Sequence, residues 1–443
     1  MTTTKKNYVV PIVMMFVLFA MISFVTGLSN PMGVIIKNQP GIQNWMSQLG
    51  NFANFFAYLF MGLPAGFILR RKGYKFTALT AIGIGIVGVG VQLISANMNY
   101  VPGETSFTPI FLIYLCGAFI SGFSMCLLNT VVNPMLNTLG GEGKTGNQLL
   151  QFGGSLNSFC ATVVPILGGY LIGDIAKAEL SNAIPALLIA ILIFVIVMVV
   201  LLFVSIPEPH LESAEQASKS KDKHSAMSFR HFVLGTVAIF LYVGIEVGIP
   251  NFINLFLTGA KHAATGAVGI GMDTAAAGSV VGTYWFLMLI GRLAGGFLGG
   301  KFSAKSQLTF VSMVAIILVT AGIFIPSSVE IVMPVFQSDI SFGMIEVPVS
   351  VFLFVLCGLC TSIMWGGIFN LAVEGIGKYT AMGSGIFMVM VVGGGVLPLI
   401  QGAVADITAN YMTSYWVIVA AAAFLLWYAL IGCKNVNKDI PVE

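Results

Sequence analysis

The stretch FLYVGIEVGIPNFINLF, residues 240–256, decides how this sequence is read. It is apolar enough to cross a bilayer, yet it contains a carboxylate at Glu246, a helix breaker at Pro250 and amides at Asn251 and Asn254. A charged side chain at that depth costs at least ~2.5–3.5 kcal/mol on insertion scales, so such a residue normally faces a partner or a water-filled cavity. The stretch therefore predicts a functional site inside a membrane protein.

The composition of the whole chain supports this interpretation. Of the 443 residues, 57% are hydrophobic and 8% are charged, with a mean hydropathy of +0.95, whereas soluble domains carry about 25% charged residues. Backbone groups in lipid must form internal hydrogen bonds, which leaves helices or closed barrels. The long continuous apolar runs favour helices of about 20 residues. We predict an all-α polytopic membrane protein.

Twelve transmembrane helices can be assigned to the apolar runs. We expect the spans at about 9–36, 43–69, 75–96, 107–138, 147–173, 182–206, 231–258, 274–300, 306–327, 346–374, 380–405 and 409–432.

The placement of basic residues predicts the orientation of these spans. Only Lys37, Lys177 and Lys261 fall on one side, Arg292 lies within a span, and the other Lys and Arg residues fall on the side of the N-terminus. Because basic loops stay in the cytoplasm, both termini are expected there. The net charge of +3 reflects this topology, so no nucleic-acid partner is expected.

A polar connector divides the chain into two halves that repeat one another. We expect an N-terminal six-helix bundle over 1–206, a cytoplasmic linker over 207–230 and a C-terminal six-helix bundle over 231–443. The matching pieces are 65–75 with 295–305, 165–174 with 398–406, and Asn133 with Asn370. Two six-helix repeats that enclose polar groups near the midplane are typical of alternating-access carriers.

Several of these pieces carry a family resemblance. Residues 66–75 resemble the loop motif Gly-x-x-x-Asp-Arg-x-Gly-Arg-Lys of the major facilitator superfamily, with Arg70 in the place of the aspartate. The chain is also similar to the branch of fucose-galactose-gluconate symporters. The stretches that carry this second resemblance are 242–246, Tyr284-Trp285, Gly291-Arg292, Asn133-Pro134, 157–159 and 383–406. The resemblance implies two pseudo-symmetric six-helix bundles around a central cavity, and sugar uptake driven by a cation gradient.

The resemblance also bears on the coupling ion. The two acids through which the fucose symporters of this branch couple to protons fall on Asn30 and Asn129, which cannot carry a proton at physiological pH. A glutamine that contacts sugar in that branch falls on Gly154, while the neighbouring asparagine is retained as Asn157. We therefore favour sodium slightly over a proton as the coupling ion, and we expect no other cofactor. The expected location is a bacterial cytoplasmic (inner) membrane, with the protein as a monomer in lipid.

Neutral amides and an aromatic ring suit a sugar, because its hydroxyls both donate and accept hydrogen bonds and one face of its ring is apolar. The alternative for each amide is a hydrogen bond between helices, worth roughly 0.6–2 kcal/mol in membranes. The predicted substrate-binding residues are Asn30, Asn129, Asn133, Gln151, Asn157, Asn251, Asn254, Trp365 and Asn370, with Thr26 beside them.

Glu246 is the candidate for ion coupling. It either takes up a proton or offers oxygen ligands to sodium together with carbonyls freed near Pro250. The alternative is a structural ion pair with Arg292, the intramembrane cation. We expect gating from charged residues at span ends, which can bond helix termini of the facing half. These are Arg70, Arg71 and Arg292 at inner ends, and Asp174 and Asp406 at outer ends.

Other functions remain open but fit less well. Within transport, the solute could be another small polar molecule such as a cell-wall sugar fragment, or the carrier could be an uncoupled sugar facilitator. An integral-membrane enzyme would need a nucleophile with a base or a metal cluster at depth, whereas the histidines lie in loops or at a span end, so we expect no enzyme. A sensor would need a soluble signalling domain, and the longest polar segment is the linker at 207–230.

Overall fold

The architecture is known from a computed structural model. It describes residues 8–37, 39, 46, 49–98, 106–140, 143–172, 178–208, 224–260, 267–298, 301–337, 341–437 and 439–442. Within these ranges the chain is mostly helical.

The N-terminal half contains the first six spans. They correspond to the helices Val9–Lys37, Leu49–Ala96, Thr108–Leu139, Gly143–Ile172 and Ile184–Phe203. Leu49–Ala96 holds the second and third spans together. Its 48 residues would extend about 72 Å as one helix, more than twice the ~30 Å of a hydrocarbon core. The two spans separate at Gly73, whose φ of 83° is a left-handed value that favours glycine.

The C-terminal half contains the other six spans. They correspond to Arg230–Thr258, Thr274–Leu298, Ala304–Phe324, the pair Val349–Thr361 and Met364–Val373, the pair Thr380–Val389 and Gly393–Thr408, and the group Tyr411–Ser414, Trp416–Trp427 and Tyr428–Gly432. In the described part of the chain, ten helical segments are long and apolar enough to cross a membrane. With Leu49–Ala96 counted twice and Gly143–Ile172 added, they supply the twelve predicted crossings.

A β-hairpin, which was not predicted from the sequence, joins the ninth and tenth spans. Strand β1 is Glu330–Phe336, strand β2 is Phe342–Pro348, and they pair antiparallel. Residues 346–348, assigned above to the tenth span, belong to β2. The hairpin is fixed to the eighth span, because the Phe336 N–H donates to Thr283 Oγ1 over 2.9 Å and the Phe336 ring stacks on Phe286 at 5.1 Å.

At the basic end of the N-terminal half, the turn at Gly73 is tied to the end of the sixth span. The carboxylate of Glu208 accepts hydrogen bonds from the backbone N–H groups of Tyr74 and Lys75, at 2.6 and 2.9 Å. An acid at this helix start is favourable, because the N-terminus of a helix carries a partial positive charge. Beyond Glu208, residues 209–223 of the predicted linker lie outside the described residues.

The two halves touch along two flanks, both leading towards the basic ends of the spans. On one flank the second span approaches the eleventh so closely that a Cβ added to Gly62 would lie 2.8 Å from the Val389 nitrogen and 3.0 Å from the Gly385 oxygen. On the other flank Gln148 Nε2 of the fifth span donates to the Gly296 carbonyl of the eighth over 3.2 Å. A cavity lies between these contacts.

Candidate substrate-binding cavity

The cavity has a volume of about 190 Å³ and is lined by both halves. From the first, second, fourth and fifth spans come mainly neutral polar and aromatic side chains. The seventh, eighth, tenth and eleventh spans add the charged residues and two tryptophans. The predicted site residues that line it are Asn129, Asn133, Gln151, Asn157, Glu246, Asn251, Arg292 and Trp365.

Asn129 and Asn133 lie one helical turn apart in the fourth span, so they face the same side. Asn129 Nδ2 donates to the Tyr58 hydroxyl over 2.9 Å and to the Met125 carbonyl over 3.1 Å. Asn133 Nδ2 in turn donates to the Asn129 carbonyl over 2.8 Å. The donors of Asn129 are thus engaged. Its Oδ1 accepts a long hydrogen bond from Asn133 Nδ2 at 3.5 Å and keeps a second lone pair for a cavity ligand.

Asn157 is oriented in the opposite sense. The Ser23 hydroxyl of the first span lies 2.5 Å from Asn157 Oδ1 and 2.6 Å from its carbonyl oxygen. The amide oxygen is therefore engaged, while Nδ2 makes no hydrogen bond to any residue that the structure describes. Asn157 can offer two donors to a ligand, and Asn129 one acceptor.

Glu246 and Arg292 form an ion pair on the wall of the cavity. Arg292 Nη2 lies 3.1 Å from Glu246 Oε1, and the two side chains are 9% and 15% exposed. The guanidinium also donates from Nη1 to the Gly154 carbonyl over 2.6 Å and from Nε to the Ser362 carbonyl over 3.3 Å. Buried charges persist when they are paired and hydrogen-bonded in this way. Arg292 thereby connects the seventh, eighth and tenth spans with the fifth span of the other half.

Irregularities in two helices leave backbone carbonyls near the ion pair free to accept hydrogen bonds from side chains. Pro250 has no N–H, which leaves the Glu246 carbonyl without its helical partner, and the Tyr284 hydroxyl donates to that carbonyl over 3.3 Å. The tenth span is interrupted after Thr361, so the Ser362 carbonyl is available to Arg292. The eighth span can approach this break because residue 291 is glycine, where a Cβ would overlap the Ser362 hydroxyl.

Aromatic rings cover another part of the wall. Trp285 and Trp365 both line the cavity. Trp365 is held by edge-to-face contacts with Tyr242 at 6.2 Å and with Phe387 at 6.1 Å. Rings fixed in this manner present a rigid apolar surface, against which the apolar face of a sugar can rest.

Most of the remaining predicted residues lie away from the cavity. Thr26 lines the cavity, whereas Asn254 and Asn370 are not among its lining residues. Arg70 and Arg71 are exposed at the basic end, and Asp406 is exposed at the opposite end. Arg292 lies at the cavity wall rather than at the inner span end where the sequence analysis placed it. The side chain of Asn30, and Asp174, lie outside the described residues.

Other lining residues were not predicted, among them Ser23, Asn51, Tyr58 and Trp285. Asn51 and Tyr58 are seven residues apart and so share a helical face, a signal that was present in the sequence. Trp285 stands in a stretch that carried the family resemblance, but it was not assigned to the site. Ser23 could not be found, because a serine in a span usually bonds to its own helix.

Comparison with known proteins agrees with this architecture. The family profile described as Major Facilitator Superfamily matches residues 13–398. A glucose/galactose transporter of Brucella abortus is 28% identical over 98% of this chain and 97% of its own length. The L-fucose-proton symporter of Escherichia coli is 22% identical over 96% of this chain and 93% of its own length.

Among solved structures, the Major Facilitator Superfamily transporter FucP in its outward conformation superposes with a TM-score of 0.72. The two chains are 19% identical, and the match covers 97% of this chain and all of the other. The superposition confirms the predicted fold, twelve transmembrane helices in two pseudo-symmetric six-helix bundles. The resemblance to this superfamily and to its fucose symporter branch is confirmed as well.

Proposed function

Because the chain belongs to the major facilitator superfamily, with a match over residues 13–398, we propose that it imports a neutral monosaccharide by alternating access. The observation that carries the proposal is the cavity between the halves, with amides on one side and tryptophans on the other. The name of the Brucella abortus relative makes glucose and galactose the first candidates.

The charges and donors of the cavity favour a neutral polyol. Glu246 and Arg292 neutralise each other, so the described lining offers no uncompensated charge to an organic anion or cation. Asn157 supplies donors and Asn129 an acceptor, which matches the alternating roles of sugar hydroxyls. Hydrogen bonds to neutral groups are worth about 1 kcal/mol each, which suits a solute that must be released.

We further propose a proton, rather than the sodium favoured above, as the coupling ion. A sodium ion needs several oxygen ligands around it, whereas the Glu246 carboxylate is already engaged by the Arg292 guanidinium at 3.1 Å. A proton needs no such space. The E. coli relative is also named a proton symporter.

In this mechanism Glu246 takes up a proton from the cavity when sugar is bound, and both leave together when the cavity opens on the other side. The bundles 1–206 and 231–443 would rock against each other across the contacts at Gly62 and Gln148. The protein would lie in a cytoplasmic membrane with both termini inside, and Arg70 and Arg71 would act at the inner ends of the spans.

Transport by purified protein in liposomes tests the proposal. Labelled glucose, galactose, fucose and an amino sugar from cell-wall material are offered with a proton gradient and a sodium gradient imposed separately. We expect accumulation of a hexose driven by the proton gradient. Accumulation driven by sodium alone would overturn the coupling, equilibration without accumulation would indicate an uncoupled facilitator, and transport of the amino sugar alone would replace the substrate.

A further inference from the structure

The β-hairpin between the ninth and tenth spans has no part in the function proposed above. We propose that the tip of this hairpin is inserted into the membrane leaflet opposite the basic span ends, where it lies along the eighth span. Its partner is phospholipid, and the contact is made by acyl chains rather than by charged headgroups. The proposal concerns the hairpin alone, so it stands whether or not the chain transports a sugar.

The two faces of the hairpin differ in exposure. Successive side chains of a strand point to opposite faces. On one face Met333, Val335 and Val347 are buried against the rest of the protein. The other face points outward and consists of four cross-strand pairs, which are, from base to tip, Glu330 with Pro348, Val332 with Glu346, Pro334 with Met344, and Phe336 with Phe342.

The polarity of the outward face changes along its length. Both acids, Glu330 and Glu346, belong to the half nearest the ends of the ninth and tenth spans. Towards the tip, Phe342 is 62% exposed, Met344 is 67% exposed, and Pro334 is exposed as well. An antiparallel sheet with one face in water normally has polar side chains on that face. The strand residues nearest the tip are apolar instead, which favours an apolar environment.

The position of the hairpin on the eighth span identifies that environment as lipid. Phe286, Ile290, Leu293 and Phe297 follow one another at helical spacing and so share one face of the span. Ile290, Leu293 and Phe297 are exposed, as expected for the side of a transmembrane helix that faces lipid. The hairpin covers the continuation of this same face, because the Phe336 ring stacks on Phe286 at 5.1 Å. The tip therefore lies on the lipid-facing side of the eighth span.

The level of this contact places the tip within the membrane. The Phe336 N–H donates to Thr283 Oγ1 over 2.9 Å, and Thr283 precedes Leu298, the last residue of the helix, by 298 − 283 = 15 residues. Fifteen helical residues extend ~22 Å, less than the ~30 Å of a hydrocarbon core. Lys301 follows closely, so the basic side of the core ends near Leu298. Thr283 then lies below the opposite boundary, and any tilt of the span places it deeper.

The backbone of the tip is suited to this depth. Backbone polar groups in lipid need a partner, and each strand of a two-stranded hairpin has an outer edge without one. On the outer edge of β1, the N–H of Phe336 is bonded to Thr283, and residue 334 is a proline, which has no N–H. The outer edge of β2 still needs water or headgroups. The insertion is therefore shallow, at the boundary between headgroups and acyl chains.

The charges of this region indicate that apolar burial, and not attraction to anionic headgroups, holds the tip. The sequence has no Lys or Arg between Lys305 and Lys378, whereas the hairpin carries two exposed acids at its base. Anionic lipids attract basic segments, and there is none here. Neutral phosphatidylcholine should therefore suffice, and added phosphatidylglycerol should make no difference.

A spin label on the tip tests the insertion. Met344→Cys is labelled with a nitroxide in the full chain, in which Cys116 and Cys160, the native cysteines that are not buried, are replaced by serine. In phosphatidylcholine liposomes, collisions of the label are measured with oxygen, which concentrates in lipid, and with a water-soluble nickel chelate. The ratio of oxygen to nickel collisions should be several-fold higher than in Glu330→Cys, the control at the base of the same face. It should approach that of Ile317→Cys on the exposed face of the ninth span.

The other results would each overturn the proposal. A ratio in Met344→Cys equal to that in Glu330→Cys would place the tip in water. Few collisions with either reagent, together with dipolar broadening between labels, would show that a second copy of the chain covers the tip. A ratio that rises only with phosphatidylglycerol would contradict the apolar contact. Phe342→Cys is a second reporter on the tip, and it decides the matter should Met344→Cys fail to fold.

Discussion

The two halves of the cavity differ in chemistry although they are copies of one architecture. The N-terminal half lines it with neutral groups, among them Asn51, Asn129 and Asn157. The C-terminal half contributes the described charges, Glu246 and Arg292, and both tryptophans. Under the proposed function the two halves would divide the work, with the N-terminal half binding the hydroxyls of the solute and the C-terminal half carrying the ion and presenting the ring surface.

The divergence is also visible at positions that the repeat makes equivalent. Asn133 lines the cavity, whereas its counterpart Asn370 does not. At the loop after the second span, Glu208 binds the backbone of Tyr74 and Lys75. The equivalent loop after the eighth span is capped instead by Ser303, whose hydroxyl accepts from the Ser306 N–H over 3.2 Å. The two halves therefore share helix geometry but differ in the residues that line the cavity and in their loop anchors.

The largest expected effect comes from removing the Glu246 carboxylate, which tests whether the C-terminal half carries the ion. In Glu246→Gln we expect loss of proton-driven accumulation, because the side chain can no longer gain and lose a proton. Exchange of labelled for unlabelled sugar should persist, since the amides of the N-terminal half are intact. Both are measured in the same liposomes.

Glu246→Asp is the control for that experiment, since it keeps the charge and should keep part of the accumulation. Full accumulation in Glu246→Gln would show that the ion is carried elsewhere, and the division between the halves would be lost.

The contact between the halves gives the next largest effect. A Cβ at Gly62 would press on backbone atoms of Val389 and Gly385 at 2.8 and 3.0 Å, whereas one at Gly66 would lie 3.6 Å from the nearest atom. Overpacking of this kind costs typically about 1–3 kcal/mol, so Gly62→Ala should lower the rate of exchange by roughly tenfold or more.

Gly66→Ala is the matched control and should exchange at nearly the normal rate. Equal rates in the two variants would mean that the second and eleventh spans do not need this close approach during transport.

Much of this arrangement could be predicted from the sequence. Apolar runs of sufficient length specify spans, because in lipid the backbone has no other way to satisfy its hydrogen bonds. Hence the twelve crossings and the polar residues Asn129, Asn157 and Glu246 were found. The lengths of the apolar runs predicted neither the hairpin of β1 and β2 nor the position of Arg292. Strand pairing depends on a distant partner. Arg292 was placed by its distance from a span end, although its ion pair with Glu246, the alternative named for that carboxylate, is the one that the structure shows.

The direction in which each amide points could not be predicted from the sequence either. The next prediction tests the direction of the Asn157 amide. Asn157→Ala removes the donors that Ser23 holds towards the cavity, which should weaken sugar affinity about tenfold, the effect of ~1.4 kcal/mol. Asn254→Ala removes an amide that the sequence also favoured but that does not line the cavity, and it should leave affinity unchanged. Binding is measured by isothermal titration of the purified protein. Equal losses in both variants would contradict the assignment of the site.

The smallest expected effect concerns the group that orients Asn129. In Tyr58→Phe the ring stays, but the hydroxyl that accepts from Asn129 Nδ2 at 2.9 Å is lost, so the amide can rotate and its oxygen is no longer held towards the ligand. One such hydrogen bond contributes ~0.5–1.5 kcal/mol. Because this hydroxyl orients Asn129 rather than contacting the sugar, we expect the sugar affinity to fall only about two- to fivefold.

Tyr428→Phe is the control. It removes a comparable buried hydroxyl, bonded to the His231 carbonyl over 3.3 Å and away from the cavity, and the sugar affinity should not change. A loss in Tyr58→Phe as large as that in Asn157→Ala would mean that Tyr58 contacts the sugar itself, and the N-terminal half would then bind through an aromatic hydroxyl as well as through amides.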